Sequence, residues 1–354
     1  MNTKIFVMTH KKFNPPQNPI YVPVHVGRAL GQDLGYLGDD TRDSISELNP
    51  YYGELTGLYW LWKNENELED DDIIGICHYR RYFLTEDKKI MVQSDFEKAL
   101  EQFDIMVSNA MYAPGAYKDY YGEAHNVQDL LLAGEVIKEL YPKDYPAFCQ
   151  VIEDSKFYYG NLCVTRKKIF DEYCAWLFSI FFELSKRVDV SGYDDYHKRL
   201  FGFLSEELLL VFITARDLKV SEGHIGLTGE KAETVELKLA MTQLVKLGQF
   251  KEAREMFYQY LKIRPDVRLE ASDIKGEIPD IELILYILEQ EREQGQETFY
   301  QVSHQLNDLI VHLRNLRGIV QKENAGERLS EKEQEYLKAT KATELAKEII
   351  RINL

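Results

Sequence analysis

The sequence has few of the features that mark the commonest nucleotide-binding and metal-binding proteins. Neither the pattern G-x-G-x-x-G nor the P-loop pattern G-x-x-x-x-G-K-[ST] occurs in its 354 residues, which argues against a dinucleotide site or a P-loop. Only four cysteines are present, with no C-x-x-C pair and no Cys/His spacing typical of metal binding. We interpret these cysteines as reduced core residues of a cytosolic protein.

Basic residues and long apolar runs are also scarce. The chain has 43 Lys and Arg against 59 Asp and Glu, a net charge of −16, so we expect no nucleic-acid partner. The longest apolar run, around 175–182, is too short to span a bilayer. The first nine residues predict a strand without the apolar segment of a signal peptide. We therefore expect a cytoplasmic protein that associates with the inner face of the cell membrane peripherally, if at all.

The most informative stretch is Asp71–Phe83, with the sequence DDIIGICHYRRYF. Its apolar part, Ile73–Cys77, predicts a strand that is buried on both faces of a parallel sheet. Ligands of α/β sheets bind beyond the carboxyl ends of the strands, where His78, Arg80 and Arg81 would lie. Two arginines offer forked donors that match a phosphate or a diphosphate. The alternative is that they only neutralise the aspartates just before the strand.

Two other polar segments lie in the first part of the chain. The apolar stretch Lys4–Met8 predicts a first strand, which is followed at once by Thr9, His10 and Lys11. The second segment, Gly38–Thr41, contains two adjacent aspartates. They could hold a ribose, a base or a metal ion, although such a segment is more often only a turn.

Later segments add candidate sugar contacts. Asn161 follows a glycine within an apolar stretch, where it could contact a ligand or satisfy backbone groups in a bend. The aromatic segment 110–122 lacks clean periodicity and predicts a flexible loop over a site. Its Tyr117 could stack on a sugar or cover the core.

Two helix starts bear on the chemistry. Ser205 is predicted to be an N-cap, with Glu206 and Glu207 in the first helical turn, where the helix dipole favours acids. Either glutamate could act as a general base if the helix begins beneath the site. Asn49 and the following proline predict another helix start. Glu54 falls between the core positions of that helix, and a functional role for it is not favoured.

From about Lys231 the pattern changes to amphipathic helices without strand signals, predicted at 237–248, 250–263, 279–290, 298–322 and 330–353. Ser330 and Glu333 predict a capping box at the start of the last helix. We therefore expect two domains, 1–229 and 230–354. The second is an all-α appendage for partner binding or oligomerisation.

Five segments together resemble a family of bacterial glycosyltransferases from capsule and exopolysaccharide loci, some of which are assigned as galactofuranosyltransferases. They are KIFVMTHK at Lys4–Lys11, the run Gly38–Asn64, IIGICHYRRYF at Ile73–Phe83, the run Gly160–Phe178, and SGYDDYHKRLFGFLSEELL at Ser191–Leu209. The resemblance implies a GT-A-like, Rossmann-type α/β fold with a mostly parallel sheet flanked by helices. It also implies inverting transfer of a sugar, such as galactofuranose or galactose, from a UDP-sugar to a lipid-linked glycan.

The resemblance also suggests roles for individual residues. The donor nucleotide is assigned to Thr9, His10, Lys11, Asp39, Asp40, His78, Arg80 and Arg81. The acceptor or sugar is assigned to Asn161, Tyr117, Asp194 and Asp195. Glu206 is the predicted base, with Glu207 as the alternative.

No cofactor or metal is expected, because the strand that carries an Asp-x-Asp motif in GT-A enzymes ends here in His-Tyr-Arg-Arg. The alternative is a Mn²⁺ or Mg²⁺ ion held by Asp39 and Asp40.

Two other classes of function compete with a transferase. One is a non-catalytic scaffold of a polysaccharide assembly complex, and the other is a nucleotide-sugar hydrolase. For the transferase, the expected partners are a UDP-sugar and a polyprenyl-diphosphate-linked or other glycan. The helices after residue 230 would supply homo-oligomer contacts or peripheral membrane association.

Overall fold

The computed structural model describes residues 1–268 and 272–354, and the chain divides into two compact units, Met1–Thr228 and Gly229–Leu354. The strands, all in the first unit, are β1 (Thr3–Thr9), β2 (Tyr21–His25), β3 (Leu37–Gly38), β4 (Ile73–His78), β5 (Arg81–Leu84), β6 (Ile105–Ser108), β7 (Met111–Tyr112), β8 (Lys156–Phe157), β9 (Cys163–Arg166) and β10 (Val220–Leu227). Its α-helices are α1 (Asn49–Tyr52), α2 (Leu55–Asn64), α3 (Gln93–Leu100), α4 (Tyr117–Ala124), α5 (Val127–Leu140), α6 (Tyr145–Glu153), α7 (Lys167–Leu184) and α8 (Leu200–Ala215). Short 3₁₀ helices lie at Arg28–Leu30, Ser46–Leu48 and His197–Arg199.

The main sheet is mixed and partly closed, so the expected open, mostly parallel GT-A-like sheet is wrong. Its strand order is β3-β2-β1-β4-β5-β10-β6-β9, and β4 also pairs with β9. Five strands, β4, β5, β10, β6 and β9, therefore form a closed ring. Strands β3, β2, β1 and β4 are parallel, whereas β5 and β9 run antiparallel to their neighbours.

The reason for this difference lies in the connections between strands. β5 begins three residues after β4 ends, and His78 pairs directly with Arg81, so the chain reverses in a tight hairpin. A parallel strand would need a crossover of a dozen or more residues, usually a helix. The Tyr79-Arg80 turn excludes that connection.

The central strand is buried as predicted, although one of its neighbours, β9, is antiparallel to it. All five residues of Ile73–Cys77 are buried, and β4 has β1 on one side and β9 on the other. Gly75 permits this close packing, because a Cβ atom there would lie 2.5 Å from Cδ1 of Ile5 and 2.9 Å from Cγ2 of Val164. The polar residues after Cys77 are thus attached to a strand that is held on both sides.

Apolar residues cover both faces of the sheet. Phe6 and Met8 of β1 face a large core that includes Phe178 and Phe181 of α7, whereas the alternate residues of β1 face a second core around Phe96. The aromatic side chains of α7 and α8 supply much of the larger core. This packing fixes α8 beneath the loops that follow β4 and precede β9.

Several local predictions are wrong. Helix α8 begins at Leu200, so Ser205 is not its N-cap; its hydroxyl donates to the carbonyl of Gly202 at 2.7 Å. The helix predicted from Asn49 is broken at Gly53, whose φ of 55° ends α1. The predicted loop 110–122 forms β7 and much of α4, and it buries Tyr117.

The second unit is helical throughout its described residues. Its α-helices are α9 (Ala232–Lys246), α10 (Phe250–Ile263), α11 (Ile278–Glu293), α12 (Thr298–Val302), α13 (Leu306–Asn324), α14 (Glu331–Thr340) and α15 (Glu344–Ile352), with a 3₁₀ helix at Pro265–Arg268. The capping box of Ser330 and Glu333 is confirmed. The helices predicted at 298–322 and 330–353 are each two helices. In the described parts of both units, no helix is long and apolar enough to cross a membrane.

Candidate active site

The parallel strands end together at one edge of the sheet. Thr9 ends β1 between the ends of its neighbours, His25 of β2 and His78 of β4. The Thr9 side chain is buried, and its hydroxyl donates to the carbonyl of Lys11 at 2.6 Å. Its role is therefore to shape the turn after β1.

The residue after Thr9 points to the same edge. The exposed imidazole of His10 meets the Tyr79 ring edge-on, with 5.6 Å between ring centroids. Since Tyr79 directly follows His78, this contact places the end of β1 beside the end of β4.

A cluster of polar side chains lies beside the end of β4. We call it the charged cluster; its members are Glu54, His78, Arg81, Asn161, Arg199 and Glu206. They come from the start of α2, the β4–β5 hairpin, the loop before β9, and α8 with the turn preceding it. Four of the six were predicted site residues, and most of the six side chains remain partly accessible to solvent. The structure therefore brings together four predicted site residues that are distant along the chain.

Asn161 links two of these segments. Its Nδ2 donates to Oε1 of Glu54 at 2.9 Å and to the carbonyl of Gly202 at 3.2 Å. It has a left-handed φ of 51°, and it follows Gly160, whose φ is 92°. Its buried Oδ1 has no hydrogen-bond partner among the described residues. The residue therefore forms the predicted bend, and its contact with a ligand stays a prediction.

Glu54 and His78 form a charged–neutral pair. Burial raises the pKa of Glu54, but His78, Arg199 and the Asn161 hydrogen bond together lower it below its ordinary value. Burial lowers the pKa of His78 to about 4, and Arg81 and Arg80 act in the same direction. Because His78 is then neutral at pH 7, Arg199 and Asn161 are the groups that keep Glu54 ionised there.

The pKa of Glu206 is raised, whereas that of Glu54 is lowered. Burial and the negative charge of Glu54 raise its pKa to about 8, against the opposing effects of Arg81, the Gly160 N–H and Arg199. Glu206 lies in the second turn of α8, so the expected lowering of its pKa by a helix N-terminus is wrong. A half-buried carboxyl group that titrates near neutral pH is well matched to proton transfer.

Glu207 is in a different environment. It is fully buried, and both carboxylate oxygens lack a hydrogen-bond partner within the described chain. Burial and Glu206 hold its pKa well above the ordinary value, which favours the protonated form. A substrate cannot reach this side chain in the observed conformation. The structure therefore favours Glu206 over Glu207 as the reactive acid.

The other predicted sugar contacts are more peripheral. Tyr117 is buried in α4, and the nearby Glu207 and Glu206 add to the effect of burial in raising its pKa. Asp194 accepts hydrogen bonds from the backbone N–H groups of Tyr196 and His197, both at 2.9 Å. Asp195 is exposed and pairs with a lysine three residues later. The contacts of both aspartates are local, whereas Tyr117 borders the charged cluster.

Asp39 organises a loop. Its buried carboxylate accepts hydrogen bonds from the N–H groups of Gly27 at 2.9 Å and Arg28 at 3.1 Å, and from the Ser46 hydroxyl at 2.5 Å. Asp40 lies 3.6 Å from the Arg28 guanidinium. A metal ion at Asp39 would have to displace donors that hold the loop. Residues 1–268 and 272–354 contain no group of three or more His, Cys, Asp or Glu that could hold a metal ion.

We expect Asp39→Ala to lower the free energy of unfolding by about 2–4 kcal/mol, because buried donors lose a charged acceptor. Asp40→Ala is the matched control and should cost less than about 1 kcal/mol, since its partly exposed ion pair is weak. Urea denaturation of both variants measures the difference. Equal effects would show that Asp39 does not have this structural role.

Two cavities elsewhere are less suited to catalysis. A groove of about 400 Å³ in the second unit is lined by Arg314, Lys322, Glu333 and neighbouring residues. Its Arg314 and Lys322 are already paired with Asp280 and Glu333. A depression of about 480 Å³ is lined by residues 85–95 and contains no histidine or arginine.

Sequence reasoning passed over Glu54 and missed Arg199. Glu54 was set aside because it falls among core positions of a helix, whereas the break at Gly53 turns it toward the cluster. Arg199 lies seven residues before Glu206 within the run SGYDDYHKRLFGFLSEELL. Arg199 and Glu206 both lie in this run, which is one of the five segments that carry the family resemblance. That shared membership was the signal that could have identified Arg199 as a site residue.

Comparison with solved structures finds similarity to the apo structure of WbbM, a bifunctional glycosyltransferase. The sequences are 30% identical, and the TM-score is 0.58. The match covers 65% of this chain and 46% of WbbM, so the chain spans about half the length of that protein. No curated protein matches.

A family model matches residues 4–217, which is more than half of the chain. The matched segment contains every member of the charged cluster, from Glu54 to Glu206. The second, helical unit lies outside it. The chain therefore belongs to the DUF4422 family, which is described as a domain of unknown function.

Proposed function

We propose that this protein is a glycosyltransferase that moves a sugar from a UDP-sugar to a glycan acceptor. The observation that carries the proposal is the pairing of an ionised Glu54 with a titratable Glu206 beside two arginines at the end of β4. Two carboxyl groups with opposite pKa shifts are typical of acid–base sites. The similarity to a glycosyltransferase supports this class of reaction.

In the proposed reaction, Glu206 is the general base. Its carboxylate takes the proton of the acceptor hydroxyl as that oxygen attacks the anomeric carbon of the donor. The bond from this carbon to the diphosphate oxygen breaks, and the electron pair leaves with UDP. This single displacement inverts the anomeric centre. With a pKa of about 8, only about a tenth of Glu206 is ionised at pH 7, so the rate should depend on pH.

The donor would bind along the neighbouring strand ends. His10, Lys11 and the turn made by Thr9 lie next to His78, and Arg80 and Arg81 follow in the hairpin. Asn161 would hold Glu54 in place beside the sugar, because its Nδ2 donates to Oε1 of Glu54 at 2.9 Å. By the resemblance of the sequence, we infer a galactofuranosyl or galactosyl donor and a lipid-linked glycan of capsule or exopolysaccharide synthesis.

The proposal predicts sugar transfer without a divalent cation. The full chain would be incubated with UDP-galactose or UDP-galactofuranose and lipid-linked acceptors, in EDTA and in Mn²⁺ or Mg²⁺. We expect product in EDTA, because arginines can offset the charge of the leaving diphosphate. Activity that disappears in EDTA and returns with Mn²⁺ would refute metal independence. Release of free sugar without transfer would indicate a hydrolase, and no turnover with any donor would favour a scaffold.

For the helical unit, we propose a role in self-association or in docking to a partner. Val235 and Leu239 lie one turn apart on α9 and are exposed, as is Leu247 just beyond this helix. The double change Val235→Ser with Leu239→Lys should reduce self-association in sedimentation experiments and leave UDP binding intact. A matched double change at Glu236 and Gln243 to Ser should have no effect. Unchanged sedimentation of the first variant would argue against this surface.

A further inference from the structure

Within the described residues, two arginines of the charged cluster have no acidic partner in close contact. Neither Arg81 nor Arg199 takes part in an ion pair shorter than 4 Å among residues 1–268 and 272–354. Both side chains are half-buried. By contrast, Arg28, Arg187 and Arg216 of the same unit are each paired with acids. Half-buried guanidinium groups without a close acid are suited to binding an anionic ligand.

Each of the two guanidinium groups lies against a glycine with positive φ. A Cβ atom on Gly160 would lie 2.5 Å from Nη1 of Arg81, and Gly160 has a φ of 92°. A Cβ atom on Gly53, with a φ of 55°, would lie 3.6 Å from Nη2 of Arg199. A glycine lets a guanidinium lie close to the backbone, at a position where a side chain would push it away.

Aromatic rings contribute to the position of both groups. The Arg81 guanidinium lies 4.8 Å from the centroid of the Tyr159 ring, and the Arg199 guanidinium lies 5.8 Å from that of Phe203. Such cation–π contacts restrict the guanidinium before any ligand binds. Less side-chain freedom is then lost on binding.

The two arginines act on the same space. The residues that follow their two glycines, Glu54 and Asn161, are hydrogen-bonded to each other. Both arginines also lower the pKa of Glu206, as does the backbone N–H of Gly160. Arg199 also acts on Glu54. At neutral pH the main charges facing this space are those of Arg81, Arg199 and Glu54, because His78 and most of Glu206 are neutral. The local charge is therefore positive in a chain whose net charge is −16.

Resting on the proposed function, we propose that Arg81 and Arg199 form a clamp that binds the two phosphates of an organic diphosphate. As the bond from the anomeric carbon to the diphosphate oxygen breaks, its electron pair remains on that oxygen. The two guanidinium groups offset this added negative charge, and the leaving group needs no proton. The same chemistry is present in a nucleoside diphosphate and in a prenyl diphosphate.

Calorimetric titration of the full chain with UDP and with geranyl diphosphate, in EDTA, tests the clamp. We expect Arg81→Gln and Arg199→Gln each to weaken binding of UDP about 10- to 100-fold, because each removes charge-assisted hydrogen bonds. Arg81→Lys and Arg199→Lys should recover part of the loss, since they keep the charge but not the fork. Arg187→Gln, whose side chain pairs with Glu139 and Glu183, is the matched control.

The outcomes separate the clamp from the proposed function. Loss confined to geranyl diphosphate would support the clamp and assign it to a lipid-linked diphosphate. Wild-type affinity of both arginine variants for both probes would overturn the clamp, and sugar transfer by those variants would leave the glycosyltransferase proposal standing. Weakened UDP binding in an enzyme that transfers no sugar from any donor would support the clamp and refute the function. Thermal unfolding of the Lys variants checks that these losses are not due to misfolding.

Discussion

Glu206→Gln is expected to reduce sugar transfer by about 10²- to 10⁴-fold, the range that general acid–base catalysis usually contributes. The amide keeps the size of the side chain but cannot accept the proton of the acceptor hydroxyl. Binding of UDP should change little, because Glu206 is mostly neutral at pH 7 before the substitution. Initial rates and calorimetric UDP titration on the same preparation measure the two effects.

Glu207→Gln is the matched control for that experiment. Glu207 is buried, and burial raises its pKa and so favours its protonated form, so its replacement by a neutral amide should leave turnover within about threefold of the wild type. If Glu207→Gln alone stops turnover, the role of base belongs to that residue. A fully active Glu206→Gln enzyme would remove Glu206 from the mechanism.

The proposed role of Glu206 predicts how kcat/KM changes with pH. For a base with a pKa of about 8, kcat/KM should rise with pH up to about 8 and then level off.

The raised pKa of Glu206 also means that the folded protein binds this proton more tightly than the unfolded chain. The resulting stabilisation is complete below about pH 4 and is lost as pH rises through 8. The melting temperature of Glu206→Gln, measured relative to that of the wild type, should therefore increase as the pH is raised from 5 to 9.

Asn161→Ala should lower both stability and activity. Alanine removes the hydrogen bonds to Glu54 and to the carbonyl of Gly202, and it adopts the left-handed φ at a cost of about 1 kcal/mol. A hydrogen bond to a charged group contributes about 1.5–3 kcal/mol. We therefore expect a loss of about 2–4 kcal/mol in the free energy of unfolding, and a fall in activity of more than tenfold.

Asn161→Gly and Asn161→Asp separate the contributions at this position. Glycine accepts the positive φ, so it should recover about 1 kcal/mol relative to alanine without recovering activity. Aspartate keeps the shape but faces the carboxylate of Glu54, which should raise the pKa of Glu54 and reduce activity. Equal stability of the alanine and glycine variants would show that the backbone conformation at 161 relaxes. Full activity of the aspartate variant would exclude a role for the Asn161–Glu54 contact in catalysis.

Local sequence patterns predicted the parts of the molecule that depend on near neighbours. The apolar run Ile73–Cys77 is a buried strand, because burial on both faces requires an apolar sequence. His78 ends this strand, and Arg81 follows it in the hairpin. Helical periodicity after Lys231 predicted a helical second unit. These features follow from side chains a few residues apart.

The features that were missed depend on distant pairings or on competing helix starts. The antiparallel insertion of β9 between β4 and β6 joins residues about 60 to 90 apart, and no local pattern records it. Ser205 has the chemistry of an N-cap, but five preceding residues, Leu200–Leu204, extend the helix toward its N-terminus. That shift moves Glu206 away from the helix end, and burial together with the charge of Glu54 then raises its pKa instead of lowering it.

The closed ring of strands also bears on aggregation. Since β9 pairs with both β4 and β6, the open edge beyond β1 in the main sheet of the described chain consists of the two-residue strand β3 and of Tyr21–Pro23 of β2, which β3 does not cover. Unpaired strand edges are where folded proteins add a strand from a second molecule and begin to form fibrils. A two-residue strand and a three-residue segment that includes Pro23, which has no N–H to donate, offer little backbone for such pairing. Concentrated solutions of the folded protein should therefore resist growth of intermolecular β-structure, which infrared spectroscopy can follow.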